Sequence, residues 1–346
     1  MDAYLRNAWY VAAWSGEISH TPLGRRLLDE PVVFYRRSDG TVTALQDRCP
    51  HRFVPLSLGK IDGDNIVCGY HGLRFDGNGT CIDHRCNDML RADAKLRHYP
   101  VEERYGAIWI WMGQETPNKD LIPDCGFLVD PARTMLFDQT LVKANYMLEI
   151  DNLLDLSHLD YVHLSTISAG SFTDGVFKTW QDDAGVHTTW WTEDCAIPPQ
   201  FVPYLVGAER VDQWADSTWK APGIVYIHSG GTRCKQPRES GYWIEQCHCV
   251  TPETATTTHY FWGIARPNMG EPPEVSAFAR QRLRQAFISE DATMLEAQQR
   301  AMKSTDFWAE RPIVLPEDGG AVRARRTLAK LIRAEQERAL GVAVAS

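Results

Sequence analysis

The 346-residue sequence lacks an uncharged apolar run of the roughly 18 residues that a membrane-spanning helix needs, and its start (MDAYLRNAWY) has neither the basic nor the apolar segment of a secretory leader. It also lacks a concentration of positive charge. Lys+Arg number 36 against Asp+Glu 45, and the basic residues are scattered apart from Arg323–Arg326, which argues against nucleic-acid binding. The expectation is a soluble, cytoplasmic protein with no membrane and no nucleic-acid partner. Internal repeats and low-complexity tracts are missing too, which sets aside solenoids and disordered linkers. The nine cysteines (Cys49, Cys68, Cys81, Cys86, Cys125, Cys195, Cys234, Cys247, Cys249) form an odd set without the regular framework of a small disulfide scaffold. Metal ligands mixed with buried thiols fit them better.

Single cores stop growing before chains reach this length, so two domains are expected. In the first third, short β-type runs (Pro31–Arg36, Thr41–Gln46, Asn65–Cys68, Ala107–Met112) alternate with Gly/Asp/Asn turns, the pattern of a small antiparallel β-domain. The Pro- and Asp-containing stretch Gln114–Arg133 breaks that pattern, and the division expected is 1–120 and 121–346. Beyond it, Tyr146–His163 carries no Gly or Pro and predicts a helix. Strand-like segments follow at Val186–Thr192, Gly223–His228, Gly241–Val250 and Thr256–Ile264, then helical segments at Pro273–Thr305 and Gly320–Ala345. The class is α+β: an all-β N-terminal domain and a C-terminal antiparallel sheet flanked by helices.

Two short Cys/His pairs stand just after predicted strands: Cys49-Pro50-His51 and, beyond a 16-residue gap, Cys68-Gly69-Tyr70-His71. Pairs on neighbouring β-loops can converge on metal from two sides. Zinc accepts Cys₂His₂ sets, but its fingers pair Cys with Cys and His with His. One Cys and one His from each half suit a [2Fe–2S] centre, with two thiolates on one iron and two imidazoles on the other. Neutral imidazoles raise such a cluster's potential to roughly −150 to +300 mV, a range suited to passing electrons on. Gly59, Gly69 and Gly72 supply the tight loops.

A second constellation, Asn152, Asp155, His158 and His163, lies within NLLDLSHLDYVH. Two histidines and a carboxylate on one face of an Fe(II) leave open positions for O₂ and substrate. Five residues span about 500° of regular helix, so the helix must end or bulge between His158 and His163. Asp155, three residues before His158, is placed to accept its second ring N–H. The alternative is two core histidines and a surface carboxylate. For the third ligand, Leu283, Phe287, Ile288, Met294 and Leu295 define an apolar stripe on which Asp291 falls near the centre and Glu290 well to one side. A carboxylate facing the core needs a partner, and a metal supplies one. Asp291 is therefore the expected third ligand, set against a helix-surface carboxylate.

With both motifs placed, the chain resembles the oxygenase components of the Rieske non-haem iron oxygenases, and among them the aromatic O-demethylase group that includes the vanillate and dicamba enzymes. The likeness extends through RNAWYVAAW, RCPHRFVPLSLGKI, CGYHGLRFDGNG, IWIWMG, NYMLEIDNLLDLSHLDYVH, VTPETATTTHYFWG and EDATMLEAQQ. It implies a Rieske domain, a catalytic iron domain, O₂ as co-substrate, a ferredoxin or flavin reductase as electron donor, and a homotrimer in which one subunit's cluster serves its neighbour's iron. In that family the aspartate matched by Asp155 bridges the histidines matched by His71 and His158; Asp155 and Asn152 are the expected catalytic residues. His248 matches a position that contacts a substrate carboxylate, where an imidazolium could pair with an aromatic acid; an internally bonded strand histidine is the alternative. The family's pocket asparagine has no counterpart near Tyr226-Ile227-His228, nor its tryptophan near Arg282. The implied reaction is hydroxylation or O-demethylation of an aromatic acid such as a methoxybenzoate. Arene or methyl hydroxylation, or electron transfer without oxygen chemistry, are the other readings.

Overall fold

The first ninety-odd residues of sequence order themselves into short antiparallel ladders because turn residues interrupt them every few positions. The computed structural model describes residues 4–83, 85, 94–270 and 273–341; Cys86 and the end of the expected final helix, 342–345, lie outside them. The chain divides into two units. One comprises Tyr4–Ile122 with Thr251–Thr254, the other Pro123–Val250 with the chain from Ala255 onward.

Among the described residues, the first unit holds three three-stranded antiparallel sheets. Strands β1 (Trp9–Trp14), β9 (Ala107–Trp111) and β8 (Val101–Arg104) form one. The second is β2 (Leu23–Leu27), β3 (Glu30–Arg36) and β4 (Val42–Gln46), and the third β5 (Lys60–Asp62), β6 (Asn65–Val67) and β7 (Arg74–Phe75). Strand β1 is buried along its whole length, so it shows none of the alternation by which half-buried strands are recognised. Val33, Tyr35, Leu45, Leu56, Ile66, Phe75 and Leu96 form a core that takes in Cys49 and Cys68.

The second unit is built on a seven-stranded sheet in the order β10-β16-β15-β14-β13-β12-β11. Its strands are β10 (Arg133–Val142), β11 (Val176–Asp182), β12 (Gly185–Cys195), β13 (Val211–Lys220), β14 (Ile224–Arg233), β15 (Tyr242–Thr254) and β16 (Thr257–Pro267). The α+β class expected from sequence is the one observed. Strand β10 was not anticipated, because its first residue belongs to the Pro- and Asp-containing stretch that breaks the earlier pattern.

The helix expected over Tyr146–His163, with an end or bulge between His158 and His163, breaks earlier, at Asp155. Helix α1 (Tyr146–Leu154) stops at Asp155, whose backbone is extended (φ −113°, ψ 94°) and whose carboxylate accepts from the Ser157 amide. A 3₁₀ turn (Leu156–His158) and a single turn, α2 (Leu159–Val162), follow. Asp155 caps the new turn instead of continuing the old helix, the competition that makes Asp a favoured N-cap and a poor helix interior residue. Helix α1 is itself capped by Asn145, which accepts from the Met147 amide.

The C-terminal helix α5 (Gly319–Ala339) packs against α1 and β12. Gly320 permits this approach, since a Cβ there would lie 2.4 Å from a Thr188 methyl and 3.5 Å from Leu154. Arg325 then grips Asp151 of α1 with bonds of 2.9, 2.9 and 2.5 Å. Between β16 and α5 run α3 (Pro273–Arg284), a π-helical segment (Gln285–Asp291) and α4 (Ala292–Ala301). The π-helical turn lies here, while the stretch between His158 and His163 is broken in another way, a 3₁₀ turn giving way to a single α-turn. Among the described residues, no helix is long and apolar enough to cross a membrane.

Candidate metal centres

The first centre is one loop design used twice. After β4, the Cys49 amide donates to the Val54 carbonyl (2.9 Å) and the Phe53 amide to the Cys49 carbonyl (2.8 Å); after β6, Cys68 bonds Leu73 (2.8 Å) and Gly72 bonds Cys68 (2.9 Å) in the same pattern. The fifth residue of each loop has positive φ, 62° at Phe53 and 72° at Gly72. Phe53 holds that conformation with the Arg48 guanidinium 3.9 Å above its ring. The loops lie against each other because Gly59 and Gly69 leave room: a Cβ at Gly59 would lie 2.0 Å from the Val67 carbonyl oxygen, and one at Gly69 2.7 Å from that of Leu58.

This design puts Cys49 and Cys68 in the core and His51 and His71 on the surface, with imidazole centroids 4.6 Å apart. Burial pushes the Cys49 thiol up, and the neighbouring Cys68 adds to the shift. A thiol so buried resists becoming an anion unless a cation holds it. Buried sulfurs beneath exposed imidazoles fit a cluster with one iron inside and one at the surface.

The second centre joins three segments of the other unit. Atoms of His158, His163 and Asp291 lie within 4.8 Å of one another. Asp291 Oδ1 is 3.0 Å from His163 Nε2 and 3.4 Å from His158 Nε2. The contact with His163 is poorly aligned for a hydrogen bond, and that nitrogen is a buried polar atom without a bonded partner. Two Nε2 atoms and a carboxylate oxygen thus face one point, the geometry of a 2-His-1-carboxylate facial set. Asn152 Nδ2 joins them, 3.2 Å from Asp291 Oδ1 and 3.4 Å from His158 Nε2.

The outward nitrogens are fixed from behind. His158 Nδ1 bonds the main-chain carbonyl of Asp155 (2.6 Å), not its carboxylate as the spacing suggested, because the side chain is turned to cap Ser157. His163 Nδ1 bonds Glu290 Oε2 (2.7 Å), and Glu290 also accepts from Thr166 (2.7 Å). Glu290 was placed off the apolar stripe on a regular wheel; the π-turn carries both it and Asp291 to the histidines. A carboxylate next to a candidate ligand was the signal that could have found it. Burial opposes charge on Asp291, yet the two histidines outweigh it and hold the carboxyl at about 2. Burial likewise opposes protonation of His163, but Asp291 and Glu290 raise it overall, so this point favours a cation.

The triad forms one wall of a partly open pocket whose empty space, open solvent included, is about 680 Å³, lined by Leu156, Ile167, Phe172, Ile227, Leu283 and Phe287 among others. His248 lines it too but is fully buried, its Nδ1 bonded to the Tyr260 hydroxyl (2.7 Å). Burial drives its pKa down to about 3 against the pull of Asp291, which favours the internally bonded strand histidine over the imidazolium, the two readings the sequence left open. Tyr226 and Arg282 are not among the lining residues: Tyr226 bonds the Asp124 carbonyl (2.8 Å), and Arg282 bonds the Thr166 carbonyl.

Comparison with known proteins agrees with both centres. Residues 8–100 match the Rieske [2Fe-2S] domain, and residues 142–334 the vanillate O-demethylase oxygenase C-terminal domain. The chain is 35% identical to the oxygenase component of chloroacetanilide N-alkylformylase from Rhizorhabdus wittichii, over 96% of this chain and 97% of the relative. It is 36% identical to the oxygenase component of dicamba O-demethylase from Stenotrophomonas maltophilia, over 96% and 99%. The crystal structure of dicamba monooxygenase bound to 3,6-dichlorosalicylic acid superimposes with a TM-score of 0.89 at 35% identity, over 96% of this chain and 99% of that one.

Proposed function

The chain belongs to the oxygenase components of the Rieske non-haem iron monooxygenases, enzymes with a [2Fe–2S] cluster and a mononuclear iron, and from that premise we propose which residues carry its chemistry and on what. Cys49, His51, Cys68 and His71 hold the cluster; His158, His163 and Asp291 hold the iron. As part of a multicomponent system it takes its electrons from a reductase or ferredoxin. When bound, the iron supplies an open face at which O₂ is activated, with those electrons, for attack on a C–H bond.

The remaining steps belong to the chain. Glu290 and the Asp155 carbonyl keep each Nε2 lone pair turned to the metal. Asn152 steadies the Asp291 carboxylate by donating to Oδ1. Leu156, Ile167, Phe172 and Phe287 exclude water and hold an aromatic ring beside the triad. A methoxy carbon hydroxylated there becomes a hemiacetal and loses formaldehyde, leaving a phenol; a ring methyl becomes an alcohol.

In a homotrimer the cluster of one subunit serves the iron of the next, with Asp155 between His71 of one chain and His158 of the other, bonded to His158 through its main-chain carbonyl. The apolar side chains of Tyr161 (77% exposed) and Leu164 (56%), on either side of His163, support a covered surface there. The observation that carries the function is the convergence of three ligand atoms within 4.8 Å on a cavity wall. Its test is formaldehyde release from methoxy-substituted aromatics by the iron-loaded protein with reductase and NADH. Formaldehyde in step with O₂ uptake supports demethylation; hydroxylated product without formaldehyde favours hydroxylation, and neither product contradicts the oxygenase role.

A further inference from the structure

Helix α3 carries a largely apolar stripe that it does not bury. Val275, Phe278, Ala279, Arg282 and Leu283 stand at i, i+3, i+4, i+7 and i+8, one face of the helix. A stripe of this kind ordinarily packs onto the core beside it. Here none of the helix's residues is buried, and Phe278 is 60% exposed. All five instead line a second, partly open space, about 710 Å³ of empty volume with open solvent included, together with Leu136, Ile244 and Ile264 of the large sheet.

This outer space adjoins the pocket beside the triad, for Ile167, Gln200, Phe201, Ile244 and Leu283 line both. Strand β15 gives their offset. Tyr242, Ile244 and Gln246 share one face of the strand; Gln246 lines the inner pocket, Tyr242 the outer space and Ile244 both. Four residues of strand span roughly 13 Å, so the two lie end to end. The outer end is cationic. Arg266, on β16 and 4% exposed, donates to the hydroxyls of Tyr204 (2.5 Å) and Ser276 (2.8 Å), and Tyr204 stacks on Tyr242 at 3.8 Å. Arg266 and Arg282 both line the space, and among the described residues no carboxylate does.

We propose that the two spaces hold one substrate end to end: an arylalkanoic acid with its alkoxy-bearing ring beside His158, His163 and Asp291 and its apolar chain ending in a carboxylate near Arg266. The chain covers the α3 stripe and takes it out of water, and the carboxylate meets the guanidinium end of the space with charge-assisted bonds. A benzoic acid, with its carboxylate on the ring, falls short of that end. The proposal deepens the oxygenase reading and rests on it only for which end of the substrate faces the triad.

Calorimetric titration of the holoprotein without reductase reads binding apart from turnover. The probes are 5-(4-methoxyphenyl)pentanoate, the matching pentanamide and 4-methoxybenzoate. The pentanoate is expected to bind at least about tenfold more tightly than either of the others. Ala279→Phe, which fills the outer space from half-exposed helix surface, is expected to weaken the pentanoate about tenfold and leave the benzoate unchanged. Arg266→Met is expected to erase the preference for acid over amide; should that buried arginine be needed for folding, the acid and amide compared on the parent protein still test the charge. Equal or tighter binding of the benzoate overturns the proposal, as does an amide that binds as well as the acid or a folded Ala279→Phe with undiminished pentanoate affinity. Tight pentanoate binding with no formaldehyde on adding reductase and NADH counts against the oxygenase reading alone; formaldehyde from the benzoate with no gain from the longer acid counts against this one.

Discussion

The proposed cluster ligands lie within one short stretch, Cys49 to His71, on two loops each closed by its own backbone bonds. The proposed iron ligands come from a broken helix and a π-helical turn on the far side of the large sheet's sequence, joined by side-chain bonds between residues more than a hundred positions apart, Asn152 to Asp291 and His163 to Glu290. In the first, ligand spacing is written into loop geometry. In the second, it depends on a whole unit packing correctly, with α1 clamped by Arg325 and seated through Gly320. A site of the first kind is robust to distant change, and one of the second kind can be tuned by residues that touch no metal.

The largest effect expected from this contrast concerns Asp155. Asn is as good an N-cap as Asp, so Asp155→Asn should keep the turn that presents His158 while removing the carboxylate. Turnover should fall to the limit of detection with iron and sulfide content unchanged; full activity would show that no carboxylate is needed between the centres. Asp155→Ala should lose about 1 kcal/mol of stability as well, read from thermal melting.

A smaller effect is expected at Glu290. Glu290→Gln keeps the contact with His163 but not its charge, and outer partners of this kind contribute about 10- to 100-fold in metal affinity. Competition with an iron chelator should report that loss from the mononuclear site, with the visible spectrum of the cluster unchanged. Equal loss from both centres would contradict their independence.

Much of this contrast was legible beforehand, for a physical reason. Cys49-Pro50-His51 and Cys68-Gly69-Tyr70-His71 are local, so spacing alone brought them together on paper. Asp291 was reached by a helical wheel with the wrong pitch, since the helix is π-helical there, and the same wheel hid Glu290. The capping role of Asp155 was invisible to periodicity, because a residue that can sit in a helix or end one is decided by its own backbone. Strand β13 escaped because Asp212, Gln213, Asp216 and Ser217 blur its alternation, and some of those polar residues serve the cavity. The neutrality of His248 follows from burial by the whole unit, which no local pattern reports.

The smallest effect expected lies at Glu149, a buried carboxyl on α1. Burial raises its pKa well above the ordinary range, and Asp291 adds to the shift. The folded state therefore retains this proton. Its contribution to stability is complete below the unfolded value of about 4.3 and is lost as pH rises toward the folded one. Glu149→Gln should melt near the parent temperature at pH 5 and above it at pH 8; parallel profiles would contradict the shift.

The most direct test is the iron and acid-labile sulfide content of the parent, Asp291→Ala and Cys68→Ser proteins. The parent should carry about three irons and two sulfides per chain, the number a [2Fe–2S] cluster and one further iron require. Asp291→Ala should retain two of each with the cluster's spectrum intact, and Cys68→Ser should lose the sulfide and keep the single iron. Loss of sulfide from Asp291→Ala, or three irons retained in it, would contradict two separately built centres.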